Sequence, residues 1–251
     1  IGLSGSRLAF LTTGLPPVAG TFILLVTIKT IPNVIHLRVP GSSLWLELQK
    51  NSDAKRLLGG YTAHSWELLG MWAWAPALLA ASFVLTGETT VAATQWSAQF
   101  IMLLHLFGAV AAYTMGRLSD RLGRRTILIW VASIATVFSL SVGWFVAFTP
   151  YLIAALVIVY SFFAIGDSPV LSTAMAESVE PACLGAMFAV RSLSGFVAGA
   201  LSPVVVGSVV DALRAEQAGD TLIWGSAFAT LGFGGLLAVC FAIGLPDHPR
   251  G

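Results

Sequence analysis

The sequence predicts an all-α polytopic membrane protein with seven transmembrane helices, and three observations predict it. Hydrophobic residues make up 57% of the 251 positions and charged residues only 10%, with a mean hydropathy of +0.86; a soluble domain carries about 25% charged residues to cover its surface. The apolar residues fall into runs of the length a helix needs to cross a bilayer, about 20 residues. The charges collect in the links between those runs. Helices are required, because open strands leave backbone groups unpaired in lipid. The net charge of +1 supplies no overall field for nucleic acid.

The expected spans, in order, are 9–28, 61–84, 92–115, 126–148, 151–175, 186–210 and 222–244. The first leads into 29–60, the one long polar connection, which holds Lys29, Pro32, Pro40, Lys50, Asp53, Lys55 and Arg56. A short amphipathic helix is expected near 43–57, with Leu44, Trp45, Leu48 and Leu57 on its apolar side. Between 92–115 and 126–148 lies the string Gly-Arg-Leu-Ser-Asp-Arg-Leu-Gly-Arg-Arg, residues 116–125. It reads as a water-exposed hairpin: Gly116 permits close approach where the helix ends, and Gly123 allows the turn. Asp120 suits a nearby helix N-terminus, and Arg124 and Arg125 offer forked donors to carboxylates. The next link is short, and Pro150 suits the first turn of the helix that follows. In 186–210, Gly195, Gly199, Pro203 and Gly207 recur every four residues, a small-residue face for close helix packing with a proline kink. Gly-Phe-Gly-Gly at 232–235 reads as packing material within the last span.

Lys and Arg favour the cytoplasmic side of a bilayer. Placing 29–60 there also places 116–125, 176–185 and the C-terminal tail there. That side then holds Lys29, Arg38, Lys50, Lys55, Arg56, Arg117, Arg121, Arg124, Arg125 and Arg250, against Arg7 and Arg214 on the other. Arg191 lies just inside a span on the cytoplasmic side. Trp96, Trp144, Tyr151 and Trp224 are expected at the outer interface as an aromatic belt. Cys183 and Cys240 have no metal-ligand spacing and read as small apolar residues. The chain starts at Ile1 without a signal peptide's charged n-region or cleavage site, and it is expected to be part of a longer protein.

The pattern G-x-L-x-D-R-x-G-R-R resembles the signature of the major facilitator superfamily of secondary transporters, with every fixed position present. The long connection two spans upstream looks like that family's central cytoplasmic loop. The resemblance implies that residues 1–28 are transmembrane helix six of an absent N-terminal half. Residues 29–60 would be the central loop and 61–251 the C-terminal six-helix half. Ser6-Arg7 to Leu15 looks like the family's entry into helix six, with Ser6 where Trp is usual. The row Gly195, Gly199, Pro203, Gly207 is similar to the glycine–proline motif of antiporters, with Ser202 in place of Gly.

Ionisable groups inside spans are costly and face an interior. Here they occur in four spans or at their ends: His64, Glu67, His105, Asp167, Glu177, Arg191 and Asp211. His64 and Glu67 share one helix face at i,i+3. They read either as a cavity-lining pair handling substrate or protons, or as an interfacial pair reached by water. Asp167 lies between Gly166 and Ser168-Pro169, where the proline breaks the hydrogen-bond ladder. It lines a broken-helix binding site or belongs to a kinked helix that holds it through Ser168 or a neighbouring helix. His105 is either a transport residue or an interhelical hydrogen-bond partner. Trp66, Trp72 and Trp74 stack on a planar substrate or simply pack.

By the resemblance, Gly116, Asp120, Arg121, Gly123, Arg124 and Arg125 form a gate. Glu177 would latch onto Arg124 or Arg121, and Asp120 would meet the absent half. The expected function is alternating-access transport of a small solute coupled to an ion gradient, with protons as the expected ion. The protein would sit in the plasma or inner membrane with a cytoplasmic C-terminus. No phosphate loop, nucleophile elbow or metal cluster is legible, so an enzyme, a cofactor and a metal are not expected. The partners expected are a small-molecule substrate, protons, the lipid bilayer and the absent half. The alternatives are a half-size membrane scaffold or receptor and, among transporters, an efflux antiporter rather than an uptake symporter.

Overall fold

The computed structural model describes residues 3–28 and 43–246, and the side chains of residues 14–15, 17–28 and 43–246. The chain divides into two units, Ile1–Leu37 and Arg38–Gly251. The first contains helix α1, Leu3–Thr27. Its Thr21 and Thr27 hydroxyls donate to the carbonyls of Pro17 and Ile23 one turn back, at 2.9 and 2.7 Å. A hydroxyl satisfied on its own helix in this way exposes no unpaired donor to lipid.

The second unit is a helical bundle of α2 (Leu44–Lys50), α3 (Ser52–Leu85), α4 (Thr90–Leu122), α5 (Arg124–Ser141), α6 (Pro150–Ser178), α7 (Leu184–Ala215) and α8 (Asp220–Ile243). Among the described residues, six helices are long and apolar enough to cross a membrane: α3, α4, α5 with its 3-10 extension to Phe145, α6, α7 and α8. With α1 they make an all-α polytopic membrane protein. Large apolar side chains such as Trp130, Val137, Phe196 and Phe233 are exposed on the outside, which is stable only in lipid.

Three boundaries differ from the sequence reading. The helix expected near 43–57 is two helices, because Asn51 interrupts it. Its side-chain oxygen accepts from the Asp53 and Ala54 amides at 3.1 and 2.9 Å, an N-cap that starts α3. Its amide nitrogen donates to Glu47 and to the Ser178 carbonyl, each at 2.7 Å. Helix α3 therefore begins at Ser52, well before the expected 61. The ten-residue hairpin at 116–125 contracts to one residue: α4 runs to Leu122, α5 starts at Arg124, and Gly123 between them has φ +91°. That backbone favours glycine. Gly116 is helical, and a Cβ there would meet nothing within 4 Å. The expected close approach at Gly116 is absent from this bundle, because the helix continues past it into open space.

Helices α3 and α6 are central. Helix α3 packs against α6, α7 and α8, and α6 also packs against α4 and α5. The core has two layers. One, around Met71, Leu78, Tyr160, Trp224 and Phe228, fills the middle and far end. The other, around Leu57, Leu128, Leu171, Met175 and Met187, fills the end that carries Gly123. Trp96, Trp144 and Tyr151 are exposed at the end opposite Gly123, but Trp224 is buried at 2% exposure. It belongs to the core and not to the belt, packed edge-on against Trp74 at 6.2 Å and against Gly143 of the 3-10 turn. The row Gly195, Gly199, Gly207 faces α3. A Cβ at Gly195 would press Ser65 at 2.8 Å, and one at Gly207 would press Trp74 at 3.0 Å. The Pro203 carbonyl accepts from Trp74 Nε1 at 3.0 Å. Small residues here let two helices approach closely, the main source of packing where lipid is as apolar as leucine.

Candidate functional site

Helix α3 presents His64 and Glu67, α6 presents Tyr160, Asp167, Ser168 and Ser172, and α7 presents Arg191. His64, Glu67, Asp167 and Arg191 are 3, 3, 4 and 7% exposed, so four ionisable side chains lie inside a bundle with little polar material to solvate them. Each must find partners or carry a large desolvation cost.

His64 bridges α3 to α6. Its Nδ1 lies 2.7 Å from Asp167 Oδ1, and its Nε2 lies 3.1 Å from Ser168 Oγ. The approach to Asp167 falls outside hydrogen-bond geometry, so it is a close contact and not a directed bond. The proline at 169 matters locally, because it has no N–H to give the carbonyl one turn back. It stands two residues after Asp167 on the stretch of α6 that faces His64.

Glu67 does not share the His64 site. Its Oε1 accepts from Tyr160 Oη at 3.1 Å, and the Ser139 hydroxyl of α5 lies beside the carboxyl. On α8, a Cβ at Gly235 would come within 2.8 Å of Glu67 Oε2 and against Thr136. The i,i+3 pair read from the sequence therefore splits, with His64 turned to α6 and Glu67 into the junction of α5, α6 and α8. Neither residue is an interfacial group reached by water.

His105 stands apart, exposed on α4 with its ring edge-on to Trp72 at 5.2 Å. Trp66 and Trp74 are packing residues whose indole N–H groups donate to the Thr230 and Pro203 carbonyls, both at 3.0 Å. A void of about 10 Å³ borders Asp167, with Gly60, Leu128 and Leu171 among its walls. That is close to the roughly 10–15 Å³ that one water requires.

A second cluster occupies the Gly123 end. Arg124 forms a bidentate pair with Glu177, Nε to Oε2 at 3.2 Å and Nη2 to Oε1 at 2.8 Å. Its Nη1 donates to Ser119 Oγ at 2.6 Å and meets Asp120 at 2.5 Å. Asp120 thus has a partner within this chain, one helical turn away across the Gly123 turn. Arg125 reaches the C-terminal end of α8, with Nε and Nη2 at 3.3 and 3.2 Å from the Ile243 carbonyl, a favourable place for a cation. Arg121 is exposed and, among the described residues, has no hydrogen-bond or ion-pair partner. The cluster borders an open cavity of about 1140 Å³ lined by Asp53, Asp120, Arg124, Arg125 and Glu177.

Tyr160 and Ser172 do not stand out in the sequence, whereas Ser168, which the sequence offers as a holder of Asp167, meets His64 at 3.1 Å. Tyr160 lies seven residues before Asp167, two helical turns, so its spacing was a usable signal. From its position Arg191 reads as a charge near a span end, yet it is buried. Compared with known proteins, the chain matches no family model, no curated protein and no solved structure.

Proposed function

We propose that this chain is part of a secondary transporter of the major facilitator type, moving a small solute by alternating access and driven by an ion gradient, with protons as the coupling ion. The observation that carries this reading is the His64–Asp167 pair, both members under 5% exposed, bridging the two central helices. An ionisable pair held at that depth is costly, and its presence favours a functional role over a packing one. His64 would take and release the proton, Asp167 would supply its counter-charge, and Ser168 would orient the ring from the other nitrogen. Glu67 with Tyr160 is a second buried protonatable site. The turn at Gly123, with Arg124 on Glu177 and Asp120, would latch one conformation of the cycle. The excess of Lys and Arg supports a cytoplasmic position for that end, with the protein in the cell membrane. The chemistry is translocation, with no bond made or broken in the solute.

The test is solute-evoked proton movement in proteoliposomes that contain the intact protein and a trapped pH dye. Addition of a transported solute is expected to change the internal pH. Asp167→Asn should reduce that change by at least about tenfold, the effect expected on removing a positioned proton-transfer partner, while the protein stays monodisperse. A full response from both Asp167→Asn and His64→Gln would remove the basis of the proton assignment.

A further inference from the structure

We infer that Arg191 is the charge-binding group of an organic-anion site, so that the solute is a carboxylate; this rests on the transport reading above. Among the described residues two basic side chains are buried in the bundle, His64 and Arg191. His64 faces a carboxylate. Arg191 does not: among the described residues no Asp or Glu lies within ion-pair distance of it. What surrounds it is a receptor for a planar cation. The Tyr61 ring lies under the guanidinium at 3.7 Å from ring centroid to Cζ, and the Phe188 ring is at 5.0 Å. Nη2 donates to Ser172 Oγ at 2.8 Å. Nε is buried and has no partner.

Aromatic faces stabilise such a cation, and the Tyr61 side chain also offers it a hydrogen bond, but Nε stays unfilled. A guanidinium cannot shed its proton to escape the cost of burial. The counter-ion that completes the site is therefore the ligand. The Nε–Nη2 edge is the one with which Arg124 grips Glu177 in this same chain. At Arg191 that edge is half used, one nitrogen on a serine hydroxyl and the other empty. A planar carboxylate fits this edge, and the rings of Tyr61 and Phe188 suit an apolar body attached to it.

The site also connects to the proposed proton site. Ser172 Oγ donates to the Ser168 carbonyl at 2.8 Å, and Ser168 Oγ lies 3.1 Å from His64 Nε2. Filling Arg191 with an anion would thus be felt at His64 and Asp167 through two serines.

The experiment uses the intact protein in detergent and reads its melting temperature by tryptophan fluorescence. The probes are matched pairs, acetate with acetamide and benzoate with benzamide, together with inorganic phosphate. At least one carboxylate should raise the melting temperature by about 2–4 °C, as binding to the native state does, and its amide should not. Arg191→Gln should abolish the shift. Arg191→Lys, which keeps the charge but loses the planar edge, should reduce it, and it serves if the Gln variant fails to fold.

The inference is overturned if no carboxylate acts, if the amides act equally, if phosphate acts alone, or if Arg191→Gln keeps the response. No carboxylate response, with a lowered melting temperature for unliganded Arg191→Gln, would mean that the counter-ion is another part of the protein. Carboxylate binding without transport would sink the transport reading and keep the site; solute transport without carboxylate binding would do the reverse.

Discussion

At the scale of single residues, the environment at two glycines sets opposite costs for the same methyl group. A Cβ on Gly235 would lie 2.8 Å from the Glu67 carboxyl and against Thr136, whereas a Cβ on Gly116 would meet open space. Gly235→Ala should therefore destabilise the bundle by about 1–3 kcal/mol, the usual cost of overpacking. Gly116→Ala should be neutral or stabilising by up to about 1 kcal/mol, because helix interiors favour alanine over glycine. Chemical unfolding in micelles measures both. A destabilised Gly116→Ala would mean that another segment of the protein presses on that surface. The same contrast marks what was legible at this scale. Residue type announced that His64, Glu67 and Asp167 must be buried with partners. It could not say that Glu67 turns to Tyr160 and away from His64, because that depends on which helices stand on either side of α3.

At the scale of elements, the Gly123 turn joins two helices with one residue, and its charges are arranged across the joint. Exposed ion pairs contribute little stability, typically about 0.2–1 kcal/mol, and Glu177 is 54% exposed against 21% for Arg124. Glu177→Gln should thus shift unfolding by less than about 1 kcal/mol. If the pair is a latch, the same substitution should change the rate of solute exchange several-fold, because it biases one of two conformations. A double-mutant cycle with Arg124→Gln, read on both stability and exchange rate, checks this. Equal rates in all four proteins would leave the pair a surface ornament. The existence of each span was legible from hydropathy, but not its ends. Hydropathy falls where a helix leaves lipid, so charged turns such as 116–122 and 52–60 read as loops. The backbone has no reason to stop there, and it stops instead at a left-handed glycine, at Asn51 or before Pro150.

At the scale of the whole molecule, the charge distribution is lopsided along the membrane normal. Helices α4 and α6 end where α5 and α7 begin, so the links near Gly123 and near Glu180 share one end of the bundle. The links at Thr86–Thr89 and Val142–Thr149 share the other. Among the described residues of the bundle, Lys50, Lys55, Arg56, Arg117, Arg121, Arg124 and Arg125 fall at the Gly123 end, with Arg191 a little inside it, against Arg214 at the other, and such a bias sets orientation during insertion. Single cysteines test it in a background without Cys183 and Cys240. Arg121→Cys and Glu88→Cys both place a thiol at an exposed position, at opposite ends and outside the buried network. With intact cells and a membrane-impermeant maleimide, Glu88→Cys should label directly and Arg121→Cys only after permeabilisation. The reverse pattern would invert the molecule. The Arg124–Glu177 pair would then face outward, and under the proposed proton coupling the path to His64 would have to open from the opposite side.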